Sequence, residues 1–217
     1  MYLPAQFAQH DAHCLHTLMR DHPLAALVSV QNGDTTADHV PLEFDAATQT
    51  LRGHVARANP LWHAAAEQRV LAIFSGPQAY VSPSWYPSKA ATHKVVPTWN
   101  YTVVHAHGRL SVVEDAPWLH ALVSRLTDHH ETPRDEPWAV SDAPADYVQQ
   151  MLRAIVGVEI VVDSLVGKWK VSQNRSEADR QGVVAGLSQG APETQAMAAL
   201  VRDGDVDPRA VNHTGTV

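Results

Sequence analysis

The period of the apolar positions changes repeatedly along this chain, and the changes divide it into elements. Over 11–21, Leu15, Leu18 and Met19 fall on one stripe with Pro23 just beyond, which predicts a helix. Residues 24–30 read as a strand, Asn32-Gly33 supplies a turn with positive φ, 36–44 reads as a second strand, and a polar turn at 45–48 leads into a third at 49–55. Asn59-Pro60 starts a short helix through Gln68, because Asn caps well and Pro fits a first turn. Strand-like runs follow at 69–75 and 78–82, punctuated by Gly76-Pro77. After a proline-rich break, 95–104 and 105–113 give two strands or one long bent one. Asp115 caps a helix over 116–130, 131–143 reads as an exposed loop, and 144–153 fits another helix. The β-branched run 155–165 reads as a strand buried on both faces. Ser176 with Asp179 resembles a capping box opening a helix through Leu187, 192–202 makes one more, and the last dozen residues carry no period.

About seven short strands with early turns and peripheral helices predict a small closed β-barrel with α additions, an α+β fold. Strands and helices do not alternate regularly, which disfavours a doubly wound sheet. The expected organisation is a barrel domain over 1–165, a helical extension packed on it over 166–205, and a flexible tail over 206–217.

Charge and cysteine content narrow the classes. A formal charge of −7 argues against holding nucleic acid through overall positive charge, although it leaves room for a local basic patch. The single cysteine, Cys14, excludes an intramolecular disulfide framework and a Cys-rich zinc site. No basic leader followed by an apolar run and no membrane-length apolar window is visible, so a reducing cytoplasm is the expected setting.

Candidate chemistry concentrates in a few segments. Residues 80–101, YVSPSWYPSKAATHKVVPTWNY, hold three tyrosines, two tryptophans, two lysines and three prolines. Flat rings beside lysines suit a planar anionic ligand, and aromatic residues suit a dimer interface equally well. In the run from His54 to Pro60, Arg57 can grip a phosphate bidentately, Asn59 can donate from its side chain, and the amides of the next turn can point to the same place. The structural alternative is an N-cap with a surface arginine. Asp38-His39-Val40-Pro41-Leu42 lies on a neighbouring strand, where Pro41 leaves backbone groups able to meet a heterocycle's polar edge. The stretch from Lys168 to Arg175, KWKVSQNR, groups cations around a tryptophan that normally wants cover. There is no GxGxxG and no Walker A loop. Gly186-Leu187-Ser188-Gln189-Gly190 matches GxSxG but follows a helix, so Ser188 reads as part of a helix C-cap. His105 and His107 share a strand face without an obvious third ligand, and His10, His13 and His16 share a helix face, so no metal is assigned.

Four segments, DHVPL, GHVARANP, YVSPSWYPSKAATHKVVPTWNY and KWKVSQNRSEADRQGVVAGL, occur in order across 38–187, and together they resemble the PaiB family, the FMN-binding negative transcriptional regulators. The resemblance implies an FMN-binding split β-barrel of the pyridoxamine-phosphate-oxidase type, working as a homodimer with FMN at the subunit interface. It implies phosphate roles for Arg57 and Asn59, and ring or ribityl contacts for His39, Val40, Pro41, Leu42, His54, Val55 and Ala56. Thr98, Trp99 and Asn100 take flavin-side roles, and Lys168 and Gln173 reach the cofactor. It also implies repression of transcription, for which Arg175 and Arg180 are the modest DNA candidates. A small FMN-dependent oxidoreductase is the competing reading, and a flavin or haem sensor without turnover is a third. No catalytic residue is assigned.

Overall fold

Elements follow the period changes of the sequence through most of the chain, in a computed structural model that describes residues 1–31 and 33–203. β1 (Ala8–Gln9) precedes α1 (Ala12–Asp21), whose N-cap Asp11 accepts a hydrogen bond from the Cys14 amide. β2 (Leu24–Gln31) and β3 (Asp34–Pro41) pair antiparallel in full register, from Leu24 opposite Pro41 to Gln31 opposite Asp34. β4 (Glu43–Asp45) and β5 (Thr50–Ala56) form a second antiparallel pair. The single strand expected over 36–44 is therefore two. Pro41 has no N–H to continue a ladder, and the Leu42 N–H turns to the Pro23 carbonyl instead.

α2 (Leu61–Ala64) is one turn long and stops short of Gln68. Glu67 has φ 59° and donates its N–H to the Leu110 carbonyl, while Leu110 donates to Gln68, so sheet pairing recruits the chain before the helix can extend. β6 (Arg69–Val81) runs unbroken through Gly76-Pro77. The glycine serves packing there, since a Cβ at Gly76 would collide with Thr102 Oγ1 and with the side chain of Leu18. A one-turn 3-10 helix (Pro83–Trp85) and α3 (Ser88–Thr92) lead to β7 (Thr98–Val113), one long strand rather than two. α4 (Ala116–Glu131) is capped by Asp115, which accepts from the Trp118 amide at 2.8 Å. α5 (Ala145–Arg153), β8 (Ile155–Lys170), α6 (Glu177–Leu187) and α7 (Pro192–Asp203) complete the chain, with β8 five residues longer than the β-branched run alone predicts.

Hydrogen bonding links the strands in the order β3-β2-β6-β7-β8-β5-β4, with β1 added to β8. Two compact units share the three long strands: Met1–His22, Ser75–Val104 and the chain from Val166 on form one, and Pro23–Phe74 with His105–Leu165 form the other. The boundary expected between 165 and 166 lies within β8, and the tail expected over 206–217 lies outside the described residues. The first unit buries Leu15, Leu18, Met19, Trp169, Val183, Leu187 and Met197. The second buries Leu27, Leu51, Leu61, Phe74, Leu119, Leu122 and Ile160. Among the described residues no helix is long and apolar enough to cross a membrane.

Candidate functional site

In the second unit the site begins with β5, which lies antiparallel to β8 with His54 opposite Gly157 and Ala56 opposite Ile155. Gly53 lets the end of β3 lie directly across this strand: a Cβ there would sit 2.7 Å from the Pro41 carbonyl oxygen and from Leu42 Cδ2. Val40, Leu42 and Val55 are buried in the core, whereas His39, Pro41 and Ala56 are exposed and His54 is half-buried.

Arg57, at the end of β5, is held by the protein itself. Its Nε donates to the Arg153 carbonyl at 2.9 Å, Nη1 to Glu114 Oε2 at 2.6 Å and Nη2 to the Ile155 carbonyl at 3.2 Å. Those bonds use three of the five guanidinium N–H donors and leave two. Asn59 Nδ2 donates to Asp38 Oδ1 at 2.7 Å, and its Oδ1 accepts from the Leu61 amide at 2.8 Å, which caps α2. Of the backbone amides expected to complete a phosphate cradle, those of Arg57, Asn59, His63 and Ala64 are committed elsewhere: Arg57 to Ala154, Asn59 to Ala56, and His63 and Ala64 to Pro60. A phosphate at this turn can use the two spare Arg57 donors, in competition with Glu114.

An open cavity of about 340 Å³ lies nearby, lined by Pro41, His54, Leu126, Thr127, His130, Glu131 and Trp138. His54 Nδ1 is buried without a hydrogen-bond partner. Burial pushes the His54 pKa below the ordinary histidine value, so the imidazole is neutral at pH 7. Of the lining residues only Pro41 and His54 belong to the predicted site. The others sit on the last turns of α4 and on the segment beyond it, whose charge and proline content read merely as an exposed loop. A tryptophan, Trp138, within that charged stretch is the signal the sequence offers, since a large aromatic normally wants cover.

The first unit holds the remaining predicted residues. Trp85 packs against α6, where side chains at Gly182 or Gly186 would strike its carbonyl and its ring. The Ser88 amide and hydroxyl donate to the Asp179 carboxylate at 3.1 and 2.9 Å. Burial opposes charge on Asp179, yet these Ser88 bonds, Ser176 and Arg175 hold its pKa below the ordinary carboxylate value. Ser176 caps α6 by accepting from the Asp179 amide, but the Asp179 carboxylate goes to Ser88 and not back to Ser176, so only half of the capping box forms. The guanidinium of Arg175 lies 4.8 Å from the Tyr86 ring centroid. Asn100 is buried and donates to Ser172 Oγ at 2.9 Å, and the Gln173 amide closes on its own turn through Val171 N–H and the Trp169 carbonyl. Lys170 reaches Thr98 Oγ1 and the Trp99 carbonyl. Burial pushes its pKa down, with Lys168 and Arg175 adding to the effect. Lys168 donates to the Tyr2 carbonyl and lies 5.3 Å from the Tyr101 ring centroid. Trp99 (54% exposed) and Tyr80 (48%) meet edge to face at 6.2 Å on the surface of this unit. Ser188 is the C-cap of α6 and donates to the Val184 carbonyl, as the sequence predicts.

The strand order, the interrupted β3–β4 edge and the peripheral helices define an α+β split barrel of the flavoprotein type. The same fold is seen in the FAD and haem binding protein from Mycobacterium smegmatis, with a TM-score of 0.58 and 16% identity over 82% of this chain and 80% of that one. Residues 1–164 match the family described as "Putative FMN-binding domain". The Bacillus subtilis protein named protease synthase and sporulation protein PAI 2 is 32% identical, and an uncharacterized protein from Emericella nidulans is 33% identical. Each alignment covers 94% of this chain and 97% of the relative. The chain belongs to this FMN-binding family, the PaiB family, and FMN is its cofactor.

Proposed function

We propose that this protein is an FMN-dependent redox protein of the PaiB type, a cytoplasmic homodimer that does not itself read DNA. The observation that supports this reading is the different fate of its arginines. Arg57 keeps two uncommitted N–H donors at the end of β5, enough for a bidentate grip on one phosphate. Arg180 donates to the Val201 and Arg202 carbonyls and pairs with Glu177, its Nε being buried away from any ligand, and Arg175 lies over Tyr86. α6 sets Glu177 and Asp179 against its single cation, Arg180, so it carries no basic face for a groove of DNA.

When bound, FMN supplies the electron and hydride chemistry. The chain's part is to hold and to shape. Arg57 holds the phosphate, the exposed backbone at Pro41 and Ala56 meets polar edges, and the neutral His54 offers one hydrogen bond without adding charge. The exposed Tyr80 and Trp99 pair supplies the flat apolar surface that a second protomer needs. Anaerobic addition of NADH or NADPH to the FMN-loaded protein is expected to bleach the flavin absorbance, and a flavin left unbleached by both donors contradicts the redox reading.

A second reading is regulation of transcription. The 32% identical relative, named for protease synthesis and sporulation, favours it. Gel-shift binding at physiological salt discriminates, because charge-driven binding shows no preference for a promoter over random DNA. A clear promoter preference would establish the regulatory reading and overturn the first.

A further inference from the structure

We propose that Glu114 is a specificity-determining residue of the flavin site: its carboxylate occupies the Arg57 guanidinium in place of a phosphate, and so sets how strongly this chain prefers FMN over unphosphorylated riboflavin. The inference rests on the reading of Arg57 as the phosphate grip. Glu114 Oε2 accepts from Arg57 Nη1 at 2.6 Å, a short charge-assisted bond. The other two acceptors on this guanidinium, the Arg153 and Ile155 carbonyls, carry no net charge.

Arg57 does not need that carboxylate to stay in place. Its amide donates to the Ala154 carbonyl at 2.8 Å, and its own carbonyl accepts from Trp62 Nε1 at 2.9 Å. Further out, Nε and Nη2 are tied to the two carbonyls, and the centre of the Trp62 ring lies 5.7 Å from the guanidinium carbon. These tethers are uncharged, so they fix the cation and leave its charge to be balanced by something else. The helix does not need Glu114 either, because α4 is capped by the next residue, Asp115, through the Trp118 amide. Arg52, on the same strand, shows what a structural pairing looks like here: it is 22% exposed and clasped between Asp45 (30%) and Glu159 (25%). Arg57 and Glu114 are 41% and 54% exposed, open enough for the carboxylate to swing into water.

A phosphate arriving at Arg57 therefore meets a second anion on the same guanidinium. Two anions at that range repel, so FMN either displaces the carboxylate or shares the cation with it. Both courses cost binding free energy that riboflavin, which has no phosphate, does not lose. The acid thus narrows the preference for the phosphorylated flavin that an unopposed arginine would give. It also leaves FMN exchangeable, so that loading of the protein follows the free FMN concentration.

The test titrates FMN-free protein with FMN and with riboflavin, followed by flavin fluorescence, in the parent, Glu114→Gln, Glu114→Ala and Arg57→Ala. Glu114→Gln keeps an acceptor for Nη1 and removes the charge, whereas Glu114→Ala removes both, and thermal melting shows that each variant is folded. Both Glu114 variants are expected to bind FMN about fivefold more tightly than the parent, the scale of an ion pair between partly exposed side chains. Most of that gain should appear as slower flavin release, with riboflavin affinity unchanged. Adding Arg57→Ala to Glu114→Gln should abolish the gain. An FMN affinity in Glu114→Gln no greater than the parent's overturns the proposal, and a weaker one shows instead that the acid pre-organises Arg57. An equal gain for riboflavin, or a gain that survives the loss of Arg57, overturns it as well. Failure of the phosphate grip is seen separately: Arg57→Ala alone would leave FMN affinity unchanged, and the proposal would fall with it.

Discussion

Two stretches of this chain carry the densest chemical signal, the turn after β5 and the segment joining β6 to β7, and the protein uses them in opposite ways. In the aromatic segment the groups from Trp85 to Ser88 are spent on packing, Trp85 on Gly182 and Gly186, Ser88 on Asp179 and the Tyr86 ring beneath Arg175, although the Tyr86 hydroxyl is buried without a hydrogen-bond partner. At the turn after β5, Asn59 and five backbone amides are similarly committed, but Arg57 retains two donors and His54 retains an unpaired nitrogen. Residue type announces what a segment could do. Unspent donors that also face solvent, as on the 41% exposed Arg57 side chain, mark where a ligand can still gain something.

The sharpest way to break this contrast is steric. If the aromatic segment is clamped on α6, Gly182→Val should destabilise the protein by about 3 kcal/mol in urea unfolding, because the added carbons meet the backbone of Trp85. A variant as stable as the parent shows that the clamp does not exist. Asp179→Ala should cost about 2 kcal/mol by the same measurement, since it strands the Ser88 donors. The Asp179 pKa is depressed in the folded state, so its contribution is complete above the ordinary carboxylate value and is lost as pH falls through the folded one. Asp179→Asn should accordingly flatten stability against pH in the acid range. The smallest effect belongs to His54. Its folded pKa is also depressed, so the unfolded chain takes up the proton first and stability declines as pH drops below about 6.5. His54→Gln should lessen that decline modestly, and an unchanged slope would show that the imidazole is not held neutral by burial.

Most of the fold is legible in the sequence because it is written locally. Asp115 and Ser176 cap the helices they were expected to cap, Asp11 caps the helix expected to begin with it, and the long period-two runs become strands. The departures come from partners distant in sequence. Gly76-Pro77 reads as a break until Leu18 and Thr102 are seen to require a glycine within a strand, and the helix expected through Gln68 is ended by Leu110. The candidate site is legible to a lesser degree, for the same reason. Arg57 stands out as a cation after a strand, but its tie to Glu114 spans 57 positions. Leu126, Thr127 and Trp138 converge with His54 only through tertiary structure, and no spacing rule reaches across that distance.

Titration of FMN into the purified protein, followed by flavin absorbance and fluorescence, tests the central claim most directly when parent and Arg57→Ala are compared. One saturable FMN per chain is expected for the parent, and a loss of about 1.5–3 kcal/mol of binding for the variant, the worth of a charged hydrogen bond to phosphate. Failure of the parent to bind FMN would contradict the cofactor assignment, and identical dissociation constants for the two proteins would contradict the role given to Arg57.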